Sequence, residues 1–461
     1  MSPSVNALRM KPAGMACAAL ALSTCALAGG VDRTSHSLSP LFEKGAHLSI
    51  EAYASRPQIQ GSDAWGQSTG QVAPRFAQWG FAYKQDVDAR NSVLVMLTRP
   101  YGLDIDYDRQ SSRLFGGTQA RISTYELMGA LRHRWTERWA VHGGLRVQRS
   151  EGHVALNGLA FGPLNGYRVD FTPSTRPGYL LGLSYERPEI GLRIAGTYYS
   201  AIKHHVTTRE TLRAGTTTTD SNSPQSFTLD LQTGLTPSTL VFGQIRWSQW
   251  SQFQLSPQAF AAATQGRSLT DLEDATTYTL GLAQKLGPQW SGFVALGYDP
   301  KSGKTPLSPL RPSSGRVGYT LGLSYQHERV KITPWISYQR LGATDVTLHT
   351  RPHALRRVLV NLVDNAIRHS PPGGSVAVRA TRDATGLRLE VADQGPGIAP
   401  AERERVFERF TRGATSDGGT GLGLAIARWA VELHGGVIDV VETKVGCRFG
   451  VSIPEAEEMS A

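Results

Sequence analysis

The residues best placed to do chemistry gather in the last quarter of a 461-residue chain. Asn361, Asn365 and Arg368 are spaced i, i+4, i+7, so one face of a helix would present two carboxamides and a guanidinium. A polar stripe of that spacing can hold a Mg²⁺ ion and the phosphates it bridges. Asp393 follows an apolar run and precedes Gly395 and Gly397. A carboxylate there can accept a hydrogen bond from an adenine amino group, and the glycines let backbone approach a base. Gly419, Gly421 and Gly423 open a helical segment, Leu424–His434. Such glycines present N–H groups and the positive end of a helix dipole to phosphate. Singly, these features read as surface polar residues, a turn and a linker. Their order along 361–434 weighs against that reading.

The elements that must carry them are legible in the spacing. Leu355, Leu359, Leu362, Val363 and Ala366 recur at three- and four-residue steps, which predicts an amphipathic helix from His353 to His369. Pro371-Pro-Gly-Gly374 ends it. Strands are expected at Ser375–Arg379 and Leu387–Val391, with a closing strand at Arg448–Pro454.

The ordered set Asn361-Leu-Val-Asp-Asn365-Ala-Ile-Arg368-His369, Asp393-Gln-Gly-Pro-Gly-Ile398, Phe407-Glu-Arg-Phe410 and Gly419-Thr-Gly-Leu-Gly-Leu-Ala425 resembles the N, G1, F and G2 boxes of histidine-kinase ATP-binding domains. The resemblance covers 351–454. It implies an α/β sandwich of the histidine kinase, gyrase and Hsp90 ATPase type that takes ATP and Mg²⁺. Asn365, with Asn361, would ligate the Mg²⁺ and Arg368 would contact phosphate. His369 would pack near the adenine and Asp393 would read it, with Gly395, Gly397, Gly419, Gly421 and Gly423 lining the nucleotide. The resemblance also implies a phosphoacceptor histidine just upstream, followed by an acidic residue and, four positions on, a proline. His327-Glu328 lacks the proline, and neither His349 nor His353 is followed by an acidic residue. Nucleotide binding is therefore expected without autophosphorylation in cis, and a phosphoacceptor protein acting in trans is the partner to look for.

The first 350 residues have a different character. They carry 34 of the 48 Lys+Arg and 24 of the 38 Asp+Glu, so all of the +10 charge lies there. All 15 Tyr and 8 of the 9 Trp lie there too, which marks two modules. The basic residues are scattered singly, with no basic run, so a nucleic-acid partner is not expected; an anionic membrane surface fits better. Arg9 and Lys11, the small apolar run Ala13–Leu22 and Ala26-Leu-Ala28 read as a signal peptide over 1–28. Leu22-Ser-Thr-Cys25 allows a lipoprotein alternative. Cleavage after Ala28 would leave Cys447 as the one cysteine, hence no intrachain disulfide.

Period-two alternation dominates 29–349. Val317, Tyr319, Leu321, Leu323 and Tyr325 alternate with Gly318, Thr320, Gly322 and Ser324; Phe227, Leu229 and Leu231 alternate with Thr228, Asp230 and Gln232. A sheet with one lipid face and one polar lumen needs this pattern; a soluble sandwich would also alternate. Strands are expected at 47–57, 75–84, 92–101, 123–134, 139–156, 177–187, 191–206, 225–235, 238–250, 277–286, 290–299, 317–327 and 330–341, with a short one at 167–173. Tight turns at 136–138, 188–190 and 328 alternate with long loops at 207–224, 251–276 and 300–316. These features predict an antiparallel transmembrane β-barrel of about 13–14 strands in the outer membrane, with a lipid-facing outer surface and a polar lumen.

Ser37-Leu-Ser-Pro-Leu-Phe-Glu-Lys-Gly45, Tyr199-Ser-Ala-Ile-Lys-His204 and Trp247-Ser-Gln-Trp-Ser-Gln-Phe253 are similar to segments of the outer-membrane long-chain fatty acid transporters, a likeness that extends over 30–348. It implies passive uptake of hydrophobic molecules past an N-terminal plug, although the plug's usual Asn-Pro-Ala stretch is not found. It also implies a last strand ending in an aromatic residue, which this chain does not show. The expectation is a two-domain chimera fused near residue 350: a barrel short of its last strand and a natively cytoplasmic ATP-binding module (351–461) without its dimerisation helices. The alternative is a sensor of a two-component system that phosphorylates a partner in trans.

Overall fold

The computed structural model describes residues 31–34, 36–63, 66–301, 310, 314–342, 351–371, 373–383, 386–408, 422–432, 436–441, 443 and 446–454. The expected signal peptide, the junction at 343–350, and Gly419 and Gly421 lie outside the described residues.

Seventeen described strands form the first sheet: β1 (His47–Ser55), β2 (Phe76–Asp86), β3 (Asn91–Thr98), β4 (Gly102–Asp106), β5 (Gln119–Arg134), β6 (Trp139–Leu156), β7 (Tyr167–Arg187), β8 (Leu192–Tyr199), β9 (Ile202–Glu210), β10 (Thr216–Ser223), β11 (Ser226–Thr236), β12 (Thr239–Ser248), β13 (Ala275–Lys285), β14 (Trp290–Asp299), β15 (Arg316–His327), β16 (Val330–Ile332) and β17 (Trp335–Leu341). Several are halves of one wall strand. β3 and β4 both pair with β5 on either side of Arg99–Tyr101, where Pro100 has no N–H to donate. β16 and β17 both pair with β15 on either side of Thr333-Pro334. β8 and β9 break at Ser200-Ala201, and β10 and β11 at Pro224-Gln225. Joining the halves leaves thirteen antiparallel wall strands, within the expected range.

Two expectations change. The 191–206 strand is broken in two, and 207–224 is not a loop, because β9 and β10 pair there as a hairpin. The β10 sequence is Thr-Thr-Thr-Thr-Asp-Ser-Asn-Ser, with no apolar member, so hydrophobic alternation is silent there. Threonine still favours an extended backbone, and Thr219, Ser221 and Ser223 turn inward and are buried.

Alternation sorts the side chains as a membrane wall requires. Leu145, Leu181, Leu280, Tyr319 and Leu321 point outward and are exposed, while Arg146, Thr228 and Arg246 point inward and are fully buried. No described helix is long and apolar enough to cross a membrane. Among the described residues no register joins β1 to β17. The two edges nevertheless come close: the inward rings of Tyr53 and Trp335 lie 5.4 Å apart.

The lumen is filled from the N-terminal side. Residues 31–34 and 36–43 run inside the wall, with Leu38 and Leu41 buried. Tyr53 and Tyr199 hydroxyls donate to the Arg33 and His36 carbonyls, both at 2.6 Å. Lys84 Nζ donates to the carbonyls of Glu43 (2.6 Å) and Gly45 (3.1 Å). Over the long-loop end lies an apolar cap that includes Tyr101, Phe115, Trp250, Phe253 and Phe260. The short helix α1 (Gln258–Ala263) belongs to it. The Glu210 carboxylate accepts the Ala259 and Phe260 N–H groups at 3.1 and 3.0 Å, which satisfies free donors in the first turn of α1.

The C-terminal region is a separate α/β unit. Its described sheet has the antiparallel order β18 (Ala377–Asp383), β19 (Gly386–Ala392), β21 (Arg448–Pro454), β20 (Val437–Val441). Helices α2 (Arg351–His369) and α3 (Gly423–Glu432) pack together. Val358, Leu362 and Ala366 of α2 join Ala427, Ala430 and Val431 of α3 against Val391, Phe449 and Val451 of the sheet. The apolar spacing of α2 is thus its core stripe.

Candidate functional site

The first candidate site is the lumen. Its centre is an ionic network on the inward positions of neighbouring strands. Arg146 Nε and Nη2 donate to Glu126 Oε1 and Oε2 at 3.1 and 2.8 Å, a forked pair that Gln148 Nε2 joins at 2.9 Å. Arg246 Nε lies 3.6 Å from Asp32 Oδ2 of the N-terminal segment. Asp230 accepts from Gln244 at 2.8 Å and from Ser37 of the same segment at 3.4 Å. Fully buried charges survive only when paired, so the wall's charges and those of the N-terminal segment hold one another in place. Tyr199 and Trp250, from the two strand-end motifs, both serve this arrangement. Tyr199 anchors the segment, and Trp250 packs edge-on against Tyr101 (5.1 Å) and Phe253 (5.7 Å) in the cap.

Between the cap and the β1 and β17 edges is a cavity of about 1120 Å³, of a size that suits an extended ligand. Ile59, Ile105, Ile122, Phe253, Leu269 and Leu272 give it apolar surface, and Arg33, Asp104, Asp299 and Arg316 give it polar points.

The second candidate site lies at the C-terminal end of α2. Asn361 and Asn365 are half-buried beside the core stripe, and Arg368 is exposed one turn on. Asn361 Nδ2 is buried with no hydrogen-bond partner among the described residues. A Cβ on Gly423 would sit 3.9 Å from the Asn361 carboxamide, so the start of α3 faces that group. Asp393 is buried, and its Oδ1 accepts the N–H groups of Gly395 (2.8 Å) and Cys447 (3.0 Å). Its Oδ2 has no partner among the described residues. Gly395 packs so tightly on the end of α2 that a Cβ would lie 2.5 Å from the His369 carbonyl. The fold therefore brings Asn361 to Gly423, and His369 to Asp393 and Gly395.

Two contributors escaped sequence reasoning. Gly446 adopts φ +76°, where an added Cβ would lie 1.8 Å from the Asp393 carbonyl, and Cys447 supplies the second N–H to Asp393. Both sit more than 50 residues downstream of Asp393, and only their place just before the last strand could have drawn notice. Burial pushes the Cys447 thiol up to about 12.

The geometry defines a plugged, membrane-type antiparallel barrel joined to an α/β unit built around an asparagine-bearing helix. The sequence model of the outer membrane protein transport protein family (OMPP1/FadL/TodX) matches residues 50–358, about two thirds of the chain, and the chain belongs to that family. Residues 350–457 match the histidine kinase-, DNA gyrase B- and HSP90-like ATPase family, so the two matches overlap at 350–358. The chain is a transport-family barrel fused to a kinase-type ATPase domain.

Among solved structures, a Pseudomonas aeruginosa FadL homologue aligns over 66% of this chain and 84% of its own, at 15% identity and TM-score 0.51. A TodX deltaS2S3 mutant, a monoaromatic hydrocarbon channel, aligns over 69% of this chain and 92% of its own, at 14% identity and TM-score 0.50. At such identities the likeness is one of fold. The signal transduction histidine-protein kinase/phosphatase MprB of Mycolicibacterium vanbaalenii is 44% identical over 120 residues, 25% of this chain and 22% of that protein. MprB of Mycobacterium tuberculosis is 48% identical over 95 residues, 20% of this chain and 19% of its own. The chain thus spans about a fifth of the length of the curated kinases it matches.

Proposed function

We propose that this chain is an outer-membrane uptake barrel for hydrophobic small molecules whose C-terminal domain binds ATP with Mg²⁺. The observation that carries the uptake reading is the cavity between the apolar cap and the lumen-filling N-terminal segment. A hydrophobic solute leaving water gains about 25 cal/mol for each Å² it buries, so the cap can collect it. Onward passage requires the N-terminal segment to move, because it fills the lumen. The test is uptake of a labelled hydrophobic compound by cells carrying the full chain, compared with cells carrying an empty vector. Equal rates would end this reading.

The nucleotide reading rests on the buried Asn361 Nδ2, which has no partner among the described residues and lies beside Gly423, together with the buried Asp393. In it Asn361 and Asn365 hold Mg²⁺, Arg368 meets phosphate, His369 packs by the adenine and Asp393 Oδ2 accepts from its amino group. Gly395, Gly397, Gly419, Gly421 and Gly423 line the nucleotide. Titrating the purified chain with a fluorescent ATP analogue, with and without Mg²⁺, tests it. Saturable binding that Mg²⁺ strengthens is expected, and no binding under either condition counts against it. A phosphoacceptor protein in trans remains the matching partner for phosphate transfer.

A further inference from the structure

The one tryptophan of the ATPase domain stands on the barrel. Of the chain's nine tryptophans only Trp429 lies beyond residue 350. It sits on α3, six residues after Gly423, and packs with one side against the domain's core. Its indole N–H donates to the Leu159 carbonyl of the 3₁₀ turn Leu159–Leu164. The ring lies on Gly162 of that turn, where a Cβ would meet an indole carbon at 2.7 Å. Gly162 has φ +55°, a backbone conformation that suits glycine. A larger residue there would both strain the turn and displace the ring.

The receiving turn is held by the barrel alone. The Leu159 and Ala160 N–H groups donate to the Arg113 and Leu114 carbonyls, both at 3.0 Å, and Asn165 Oδ1 accepts the Gly158 N–H at 2.9 Å. Ala160 is buried in the apolar cap, and the Phe161 ring meets Phe115 at 6.3 Å. The turn thus has side chains in the cap on one side and offers a carbonyl and a glycine to α3 on the other. α3 likewise joins two places. Six residues of helix span about 9 Å, so one stiff rod carries Trp429 at one point and Gly423 at the other. A Cβ on Gly423 would stand in contact with the Asn361 carboxamide, at 3.9 Å. In the nucleotide reading both groups meet the phosphate end of the nucleotide, and at contact distance they leave no room for it. Its entry needs the start of α3 to draw back from α2, and a rigid helix that tilts at Gly423 lifts Trp429 off the turn.

We propose that Trp429 seated on the Leu159–Leu164 turn is a latch between the two domains: docked, it weakens nucleotide binding, and nucleotide releases it. By linkage, the nucleotide loosens the contact by the same factor as the contact weakens the nucleotide. This inference rests on the nucleotide reading. Its test titrates the purified full chain with a fluorescent ATP analogue and Mg²⁺. Gly162→Ala, which lies in the barrel and touches no residue assigned to the nucleotide, should tighten binding about fivefold. Trp429→Phe, which keeps a ring and loses the N–H, should tighten it about threefold. The double variant should gain no more than Gly162→Ala alone, because both changes break one contact. Unchanged or weaker binding by either single variant, or gains that add fully in the double variant, overturns the latch while the nucleotide reading stands. Failure of the unaltered chain to bind the analogue overturns both. Should Gly162→Ala fail to assemble, Trp429→Phe carries the test alone, and an unchanged or lower affinity overturns the proposal.

Discussion

Asp393 is structural through one oxygen, and the proposed nucleotide site would use the other. Oδ1 accepts from two backbone N–H groups and so fixes the loop, while Oδ2 is the oxygen that the proposed adenine contact would use. Asp393→Asn keeps an acceptor for the backbone and replaces Oδ2 by an NH₂ that cannot accept from an adenine amino group. Losing a charged hydrogen bond costs about 1.5–3 kcal/mol, so the variant should bind an ATP analogue roughly ten to a hundred times more weakly. Near-unchanged circular dichroism would show that the loop survives. Undiminished affinity would remove Asp393 from the site. Cys447 gives a pH prediction. Burial raises the pKa of its thiol to about 12, above the usual value near 8.5. The neutral form is common to folded and unfolded chains below pH 8.5. As pH climbs past that value the unfolded thiol ionises first, and the folded state loses stability progressively toward pH 12. Native protein at pH 8 should resist iodoacetamide and react promptly once denatured. Rapid alkylation of the native chain would contradict the burial.

At the level of elements, the sequence speaks clearly where one period dominates and faintly where partners are remote. β6 and β14 fall on the expected 139–156 and 290–299, because a tryptophan opens each and a turn precedes it. β10 was hidden because alternation among threonine and serine carries no hydrophobic signal. The break at Ser200-Ala201 was hidden because it lies opposite the break at Pro224-Gln225 in the neighbouring wall strand, a pairing that no local pattern reports. The same division holds at the candidate sites. Asn361, Asn365 and Asp393 could be named from helical spacing and a strand end, whereas Gly446 and the Trp429–Leu159 contact depend on chain segments that meet only on folding. The asparagine helix has a testable dependence on its core. Leu362 is fully buried on the stripe of α2, so Leu362→Ala should cost about 2–5 kcal/mol. The C-terminal domain would then be digested by trypsin, while the wall remains a heat-modifiable band on electrophoresis. Loss of both together would mean that the two units do not fold independently.

At the scale of the whole molecule, strand parity decides where the ATPase domain goes. The connections at 135–138, 188–191, 237–238, 286–289 and 328–329 are short and share one end of the sheet, while 157–166, 249–274 and 300–315 are long and share the other. β17 starts beside the short turns, pairs antiparallel with β15 and runs to the long-loop end. The chain after 342 therefore leaves from that end. The contact between the two units agrees. α3 packs on the 3₁₀ turn Leu159–Leu164 of a long loop, and the Trp429 indole N–H donates to the Leu159 carbonyl. Bacterial barrels keep short turns in the periplasm and long loops outside. A chain inserted in that sense carries its ATPase domain on the cell exterior, away from the cytosolic nucleotide that such a fold would use. The wall's own geometry adds a second strain. With thirteen strands β1 and β17 run parallel, and no described register joins them, so their edge groups must find partners or remain costly in lipid. A tag fused after residue 461 should thus be cleaved by protease added to intact cells, and a membrane-impermeant ATP analogue added to intact cells should reach the domain. A tag protected in intact cells and digested only once the outer membrane is opened would reverse this topology and place the domain on the periplasmic side.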